Sequence, residues 1–169
     1  MFELSPETDD DWWEVEALYD LCFVPGREAL SSYRLRDDVP PVRGLSLVAR
    51  DGQGILAGAI RFWPVLVGEK KALLLGPVAV HPTRQGEGLG GWMIRESLAL
   101  AAAQGWERVL LVGDEPYYGR FGFHRLDGVE RLAGRRDRLD RVRFEHTLQL
   151  LRDELHTLDE VGRLLRLSR

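Results

Sequence analysis

Apolar residues in the first 35 positions predict two helices after a short strand. Between positions 12 and 22 they recur at steps of three and four, which is typical of one buried helix face, and they are Trp12, Val15, Leu18, Tyr19 and Cys22. Pro25-Gly26 ends this helix. A strand is predicted within residues 1–8, and a second short helix over residues 27–35.

Two β-type runs follow around a turn. The segment "LSLVARDGQGILAGAIRFWPVLV" has such a run on each side of Asp51–Gly54, which predicts an antiparallel hairpin. The next segment, "KKALLLGPVAVHP", is apolar from Ala72 to Val80. A continuous apolar run of this length predicts a strand that is buried on both faces.

A glycine-rich turn, a helix and another strand come next. The helix is predicted to end near Gln104, before Gly105, and its buried side comprises Leu89, Trp92, Met93 and Leu100. The strand is "RVLLVGDE". A strand, helix and strand in this order predict a βαβ unit with a right-handed crossover and a parallel strand pair. The fold class is therefore α/β (α+β) with a mixed central sheet.

The chain is predicted to form one domain over residues 1–169, because 169 residues suffice for one well-buried core. Beyond Phe123 the pattern predicts a strand in "VRFEHTLQL" and a helix in "TLDEVGRLLRL". No low-complexity linker separates these elements.

Charge and composition exclude several classes of protein. A net charge of −4 and a pI near 5.6 disfavour a nucleic-acid-binding protein. Cys22 is the only cysteine, so no intramolecular disulfide is expected, and His81, His124, His146 and His156 match no zinc motif, so no metal site is expected. Because a signal peptide and an apolar run of about 18 residues are both missing, we expect a cytoplasmic protein that is not in a membrane.

Residues 84–93, "RQGEGLGGWM", place glycines at the start of the predicted helix. Such a turn can cradle a phosphate on helix N–H groups, or it can be only a tight turn. A Walker A loop is excluded because no Gly-Lys-Ser/Thr ends the segment. Gly86, Gly88 and Gly91 fit the spacing of a dinucleotide fingerprint, so a nicotinamide-dependent enzyme stays as a minor alternative.

Two ordered motifs resemble those of the GNAT superfamily of N-acetyltransferases. The segment "VAVHPTRQGEGLGGWMIRESL" is similar to the family's acyl-CoA-binding motif, Gln/Arg-x-x-Gly-x-Gly/Ala, with Gln85, Gly88 and Gly90 at its fixed positions. The later segment "PYYGRFGF" resembles the family's aromatic-x-x-aromatic-Gly-Phe signature. The resemblance is clearest over residues 72–126, and the strand and helix predicted in 127–169 are not matched.

The resemblance implies acetyl-CoA as cosubstrate and a specific way of binding it. The strand that ends at Val80 would splay from its parallel neighbour, and the pantetheine arm would bond to the main chain of Val78, Ala79 and Val80. The phosphates would lie on the following turn, at Arg84, Gln85, Gly86, Gly88, Leu89 and Gly90. Glu87 departs from the family, in which a basic residue is frequent, and its side chain is expected to point to water.

The same resemblance implies direct attack of an amine on the thioester through a tetrahedral intermediate. The main-chain N–H near Val80 would stabilise the oxyanion, and Tyr118 would donate a proton to the leaving thiolate. The alternative for Tyr118 is packing in an aromatic cluster with Tyr117, Phe121 and Phe123. The general base stays open among Asp114, Glu115 and a water chain, and Glu14 or Glu16 could attract a cationic amine.

The function implied is transfer of an acetyl group to a primary amine of a small molecule or protein. The main alternative is a non-catalytic acyl-CoA-binding or sensing module, which would not need Tyr118. The acceptor, acyl groups other than acetyl, and a homodimer stay open. The arginine-rich segment near residues 125–143 could bind the 3′-phosphate of CoA, an anionic acceptor or a partner subunit, or could be a solvated surface.

Overall fold

The computed structural model describes residues 1–23, 36, 39–67, 70–125 and 147–152. Its strands are β1 (Glu3–Pro6), β2 (Leu47–Arg50), β3 (Leu56–Val67), β4 (Lys70–Val80), β5 (Arg108–Gly113), β6 (Phe123–Arg125) and β7 (Thr147–Arg152). Its α-helices in these ranges are α1 (Trp12–Cys22), α2 (Leu89–Ala103) and α3 (Glu115–Tyr118). The chain divides into two compact units, unit 1 (Met1–Pro64 and Leu75–Gly105) and unit 2 (Val65–Leu74 and the chain from Trp106).

Unit 1 contains the predicted hairpin. Strand β2 pairs antiparallel with β1, where Glu3 lies opposite Arg50, and antiparallel with β3, where Leu47 lies opposite Ile60. Asp51 begins the turn between β2 and β3, as the sequence predicts, and Gly54 N–H donates to Asp51 O at 2.9 Å. The predicted short first strand, the first helix and the hairpin are therefore confirmed.

Helices α1 and α2 cover different faces of strand β3. Ala59 belongs to a buried cluster with Val15 and Leu18 of α1. A Cβ placed on Gly58 would lie 2.7 Å from Cε of Met93 in α2. Since successive strand residues point to opposite faces, the two helices flank the sheet of unit 1 on either side.

Unit 2 holds an antiparallel ladder of three strands. Strand β7 pairs with β5 on one side and with β6 on the other, both antiparallel. β7 begins at Thr147, within the segment for which the sequence predicts a strand, and that prediction is confirmed. The one-turn helix α3 and the 3-10 turn Gly119–Phe121 were not predicted.

Two predictions of helix burial are wrong. Leu100 is 41% exposed although it follows Met93 by seven residues on the same side of α2, because it lies in the last turn of the helix, beyond the buried positions Met93 and Ser97. Trp12 is 46% exposed because it is the first residue of α1, before the buried positions that start at Val15. The helices predicted over 27–35 and in "TLDEVGRLLRL" lie outside the described residues. The prediction that the chain forms a single domain stays a prediction.

Candidate active site

Strand β4 leads into the glycine-rich turn through a 3-10 turn over Pro82–Arg84. The His81 ring nitrogen Nδ1 accepts a hydrogen bond from the Thr83 N–H at 3.3 Å. Gly86 and Gly88 have φ angles of +85° and +79°. Side-chain-bearing residues rarely adopt this left-handed region, so the chain can turn into α2 here only because both positions are glycine.

The start of α2 is open to an anion. Gly88 is its N-cap, and the first helical hydrogen bond runs from Trp92 N–H to Gly88 O at 3.0 Å. The N–H groups of the three residues before Trp92 therefore have no acceptor within the helix. A Cβ added at Gly86 or Gly88 would meet no atom within 4 Å, and the first turn of α2 carries no acidic residue. Main-chain donors and space suit a phosphate at this point.

At the end of β4, the main-chain N–H and C=O groups of Val78 and Val80 point away from β3. His81 N–H donates to Ala57 O of β3 at 2.8 Å. Because the N–H and C=O groups of successive strand residues point to opposite edges, those of Val80 and Val78 point away from β3. Ala79 is buried, whereas Val78 and Val80 are only partly buried. The main chain at Val78 and Val80 is thus not used by the ladder with β3.

The Val80 carbonyl accepts two side-chain hydrogen bonds. Gln85 Nε2 donates to it at 3.3 Å, and Cys22 Sγ donates to it at 3.4 Å. Both contacts fix the orientation of the peptide between Val80 and His81. The sequence placed Gln85 in the site, but it gave Cys22 no role beyond the apolar face of α1. Burial raises the pKa of the Cys22 thiol, so the thiol stays protonated and able to donate.

Arg84 lies beside the turn and is already paired with acids. Its Nη2 donates to Asp51 Oδ2 at 2.7 Å, and its Nη1 is 3.9 Å from Glu87 Oε1. The side chain of Glu87 is 45% exposed, in agreement with the prediction that it points to water. Leu89 is 2% exposed, so it can offer a ligand only its main chain. The residues predicted to bind the cofactor lie in this turn and at the end of β4, and all of them belong to unit 1.

Tyr118 lies in unit 2, on helix α3, among aromatic rings. Its ring centroid is 5.0 Å from that of Tyr117 and 6.1 Å from that of Phe123. A Cβ added at Gly113 would lie 2.7 Å from Cδ2 of Tyr118 and closer still to Cε2, so the ring depends on the glycine. The predicted aromatic cluster is therefore present, and Tyr118 is part of it.

The environment of Tyr118 keeps its phenol protonated. The pKa of Tyr118 is raised to about 12. Burial is the largest cause, and repulsion from the negative charge that Tyr117 can acquire and from that of Asp114 adds to it. An ordinary thiol has a pKa of about 8.5, so complete proton transfer from this phenol to a free thiolate would be uphill. The phenol suits a hydrogen-bond donor to a thiolate better than the full proton donor expected from the sequence.

Three of the acids considered for a base or for attraction of an amine, Asp114, Glu14 and Glu16, have structural partners. Asp114 caps α3, accepting from Tyr117 N–H at 3.3 Å. Glu14 pairs with Arg50, and Glu16 pairs with the buried Arg61, each at 2.5 Å. Because an arginine compensates each of these two glutamates, their pull on a cationic amine is reduced.

In the part of the chain that the structure describes, no group of three or more His, Cys, Asp and Glu side chains is arranged to hold a metal ion. The described helices include none long and apolar enough to cross a membrane.

A protein-family model described as the acetyltransferase (GNAT) family matches residues 12–123. The uncharacterized N-acetyltransferase YhbS of Escherichia coli (strain K12) is 33% identical over 111 residues, which are 64% of this chain and 65% of YhbS. The chain thus spans slightly less than two thirds of that relative. The uncharacterized N-acetyltransferase YjhQ of the same strain is 33% identical over 132 residues, 75% of this chain and 71% of YjhQ.

Two solved structures of GNAT family acetyltransferases are also similar to this chain. The crystal structure of YhbS from Escherichia coli in complex with CoA has a TM-score of 0.68 and 28% identity, and the alignment covers 95% of this chain and 84% of that one. A GNAT family acetyltransferase from Brucella melitensis in complex with acetyl-CoA has a TM-score of 0.59 and 34% identity, with 73% and 83% covered. The predicted fold class, a mixed sheet flanked by helices, is confirmed. The chain belongs to the GNAT family of acetyltransferases.

Proposed function

We propose that the protein is an N-acetyltransferase that transfers the acetyl group of acetyl-CoA to a primary amine of a small molecule or peptide. The observation that carries the proposal is the open start of α2, where Gly86 and Gly88 leave space beside main-chain N–H groups. Family membership and the CoA and acetyl-CoA complexes of two relatives support the same cosubstrate. A dinucleotide-binding enzyme is not retained, because the chain belongs to the GNAT family.

Acetyl-CoA is bound mainly by main chain in this proposal. The pyrophosphate accepts hydrogen bonds from N–H groups of the turn from Gln85 to Gly90, where the positive end of the α2 dipole adds attraction. Arg84, which is paired with Asp51, contributes guanidinium N–H donors beside them. The pantetheine arm lies along Val78–Val80, where the N–H and C=O groups of Val78 point away from β3 and can bond to the arm.

The reaction is direct acetyl transfer. The amine nitrogen attacks the thioester carbon, the carbonyl oxygen becomes an oxyanion, and the C–S bond then breaks to leave an amide and the CoA thiolate. The Val80 N–H donates to the oxyanion, and the contacts of Cys22 and Gln85 to the Val80 carbonyl help to keep that strand end in place. The proton released by the amine passes to a base, for which Asp114, Glu115 and a water chain are the candidates.

Tyr118 donates a hydrogen bond to the sulfur as negative charge develops on it. Its position in the family motif supports this role, and the pKa of about 12 means that the donor proton is present at any working pH. A thiolate that is stabilised in this way can leave without being fully protonated.

The cytoplasmic location and the homodimer expected from the sequence stay predictions. Acetyl-CoA as cosubstrate is compatible with a cytoplasmic location.

The test is release of the CoA thiol with a panel of amines, together with the mass of the acetylated product. We expect amine-dependent release and a product heavier by one acetyl group. Tight binding of acetyl-CoA without amine-dependent release across small amines and peptides would instead support the acyl-CoA-binding module.

A further inference from the structure

Asp51 joins the β2–β3 turn to the glycine-rich turn, and both of its carboxylate oxygens are used. Oδ1 accepts hydrogen bonds from Gln53 N–H at 2.9 Å and Ile55 N–H at 3.1 Å. Oδ2 accepts from Arg84 Nη2 at 2.7 Å. The side chain is only 10% exposed, so the carboxylate is held in one orientation by its own turn.

Arg84 is placed by this contact. A guanidinium has five N–H donors, and Asp51 accepts from one of its terminal nitrogens. The other terminal nitrogen is 3.9 Å from Glu87, which belongs to the glycine-rich turn, and the Arg84 side chain is 40% exposed. The guanidinium therefore lies alongside the turn with donors still accessible to a ligand.

We propose that Asp51 is a positioning residue for acyl-CoA, which acts by holding the Arg84 guanidinium beside the glycine-rich turn so that its remaining N–H groups bind the pyrophosphate. The inference rests on the proposed function, since it concerns the same phosphates. An arginine side chain loses rotamer freedom when it is immobilised on a ligand. Because Asp51 has already immobilised Arg84, acyl-CoA binding avoids most of that cost.

The opposing effect is repulsion, because Asp51 and Glu87 are anions close to an anionic ligand. Asp51 is paired at 2.7 Å with Arg84, so the guanidinium offsets most of its negative charge. The proposal requires the positioning effect to be larger than the repulsion. Positioning lowers the dissociation constant for acetyl-CoA and repulsion raises it, so the direction of change in one variant distinguishes the two effects.

The decisive variant is Asp51→Asn. Its amide oxygen can still accept from the Gln53 and Ile55 N–H groups, whereas its NH2 group faces the Arg84 donors and cannot accept from them. We expect the dissociation constant and the KM for acetyl-CoA to rise by about two- to tenfold, with kcat and the melting temperature little changed. An unchanged or lower dissociation constant would overturn the proposal.

A double-mutant cycle shows whether Asp51 acts through Arg84. Arg84→Ala should weaken acetyl-CoA binding by about tenfold or more, and adding Asp51→Asn to it should change the affinity less than twofold. Full additivity of the two losses would mean that Asp51 acts by another route and would overturn the proposal. Asp9→Asn is the matched control, since Asp9 pairs with Arg43 on the surface at 3.3 Å, and we expect no change in affinity.

Failure of the inference can be distinguished from failure of the proposed function. If the wild-type protein does not bind acetyl-CoA, the proposed function fails. If the wild type binds it and Asp51→Asn binds equally well, only the inference fails.

Discussion

The glycine-rich turn of unit 1 and the end of strand β5 in unit 2 use glycine in opposite ways. In the glycine-rich turn of unit 1, a Cβ at Gly86 or Gly88 would meet no atom within 4 Å, and both residues have φ values near +80°. In unit 2, Gly113 has no left-handed φ, but a Cβ there would overlap the ring of Tyr118. The first two glycines create main-chain shape and space for a ligand, whereas the third makes room for a side chain.

In the proposed function, main-chain groups of the glycine-rich turn bind acetyl-CoA, and the side chain of Tyr118 assists the reaction. Substitutions in the glycine-rich turn should change the binding of acetyl-CoA, and substitutions around Tyr118 should change turnover. Each variant below tests one side of that division.

The largest effect is expected from Tyr118→Phe. Loss of one preorganised donor to a developing negative charge typically lowers kcat by about 10²–10³-fold. Acetyl-CoA affinity should stay the same, because the ring remains packed, and titration calorimetry would check it. Tyr117→Phe is the control in the same cluster and should retain most of the turnover. Wild-type kcat in Tyr118→Phe would show that the tyrosine only packs.

Gly88→Val should weaken acetyl-CoA binding by about tenfold, because a branched side chain would strain the φ of +79° and occupy the space beside the helix start. The measurement is the dissociation constant. Gly105→Val is the matched control, since Gly105 follows α2 at its other end with a φ of +83° and the same open surroundings. Both variants should lose similar stability, about 1–2 kcal/mol. Equal loss of affinity in both would contradict a phosphate site at the start of α2.

A smaller effect is expected from Gly113→Ala, which would push the Tyr118 ring out of position. Overpacking of this kind costs about 1–3 kcal/mol of stability, and we expect turnover to fall about fivefold with the KM for acetyl-CoA unchanged. Gly119→Ala, where a Cβ would meet no atom within 4 Å, is the control and should leave both quantities near wild type. The idea is wrong if Gly113→Ala raises the KM but spares kcat.

Local patterns in the sequence were sufficient to predict most of the elements near the site. The hairpin was predicted from Asp51–Gly54 between two β-type runs. The helix start was predicted from the glycines around Gly88, and Gly88 is the N-cap of α2 with a left-handed backbone. Helix α3 was missed, although Asp114 as N-cap and Pro116 in the first turn are signals for one. A four-residue helix has too short a pattern to show any periodicity.

Contacts between distant positions could not be predicted in the same way. The Arg84–Asp51 pair joins residues 33 positions apart, and the Cys22–Val80 contact joins residues 58 positions apart. No spacing rule links such positions, because tertiary packing brings them together. The raised pKa of Tyr118 likewise depends on burial, which the order of residues in "PYYGRFGF" does not determine.

The most direct test of the account is a comparison of ligands by thermal shift. A ligand at one hundred times its dissociation constant adds about 2.7 kcal/mol to the free energy of unfolding. We predict that acetyl-CoA and CoA raise the melting temperature clearly, and that NAD and ATP raise it much less. No shift with acetyl-CoA, or a larger shift with NAD, would contradict an acyl-CoA site at the start of α2.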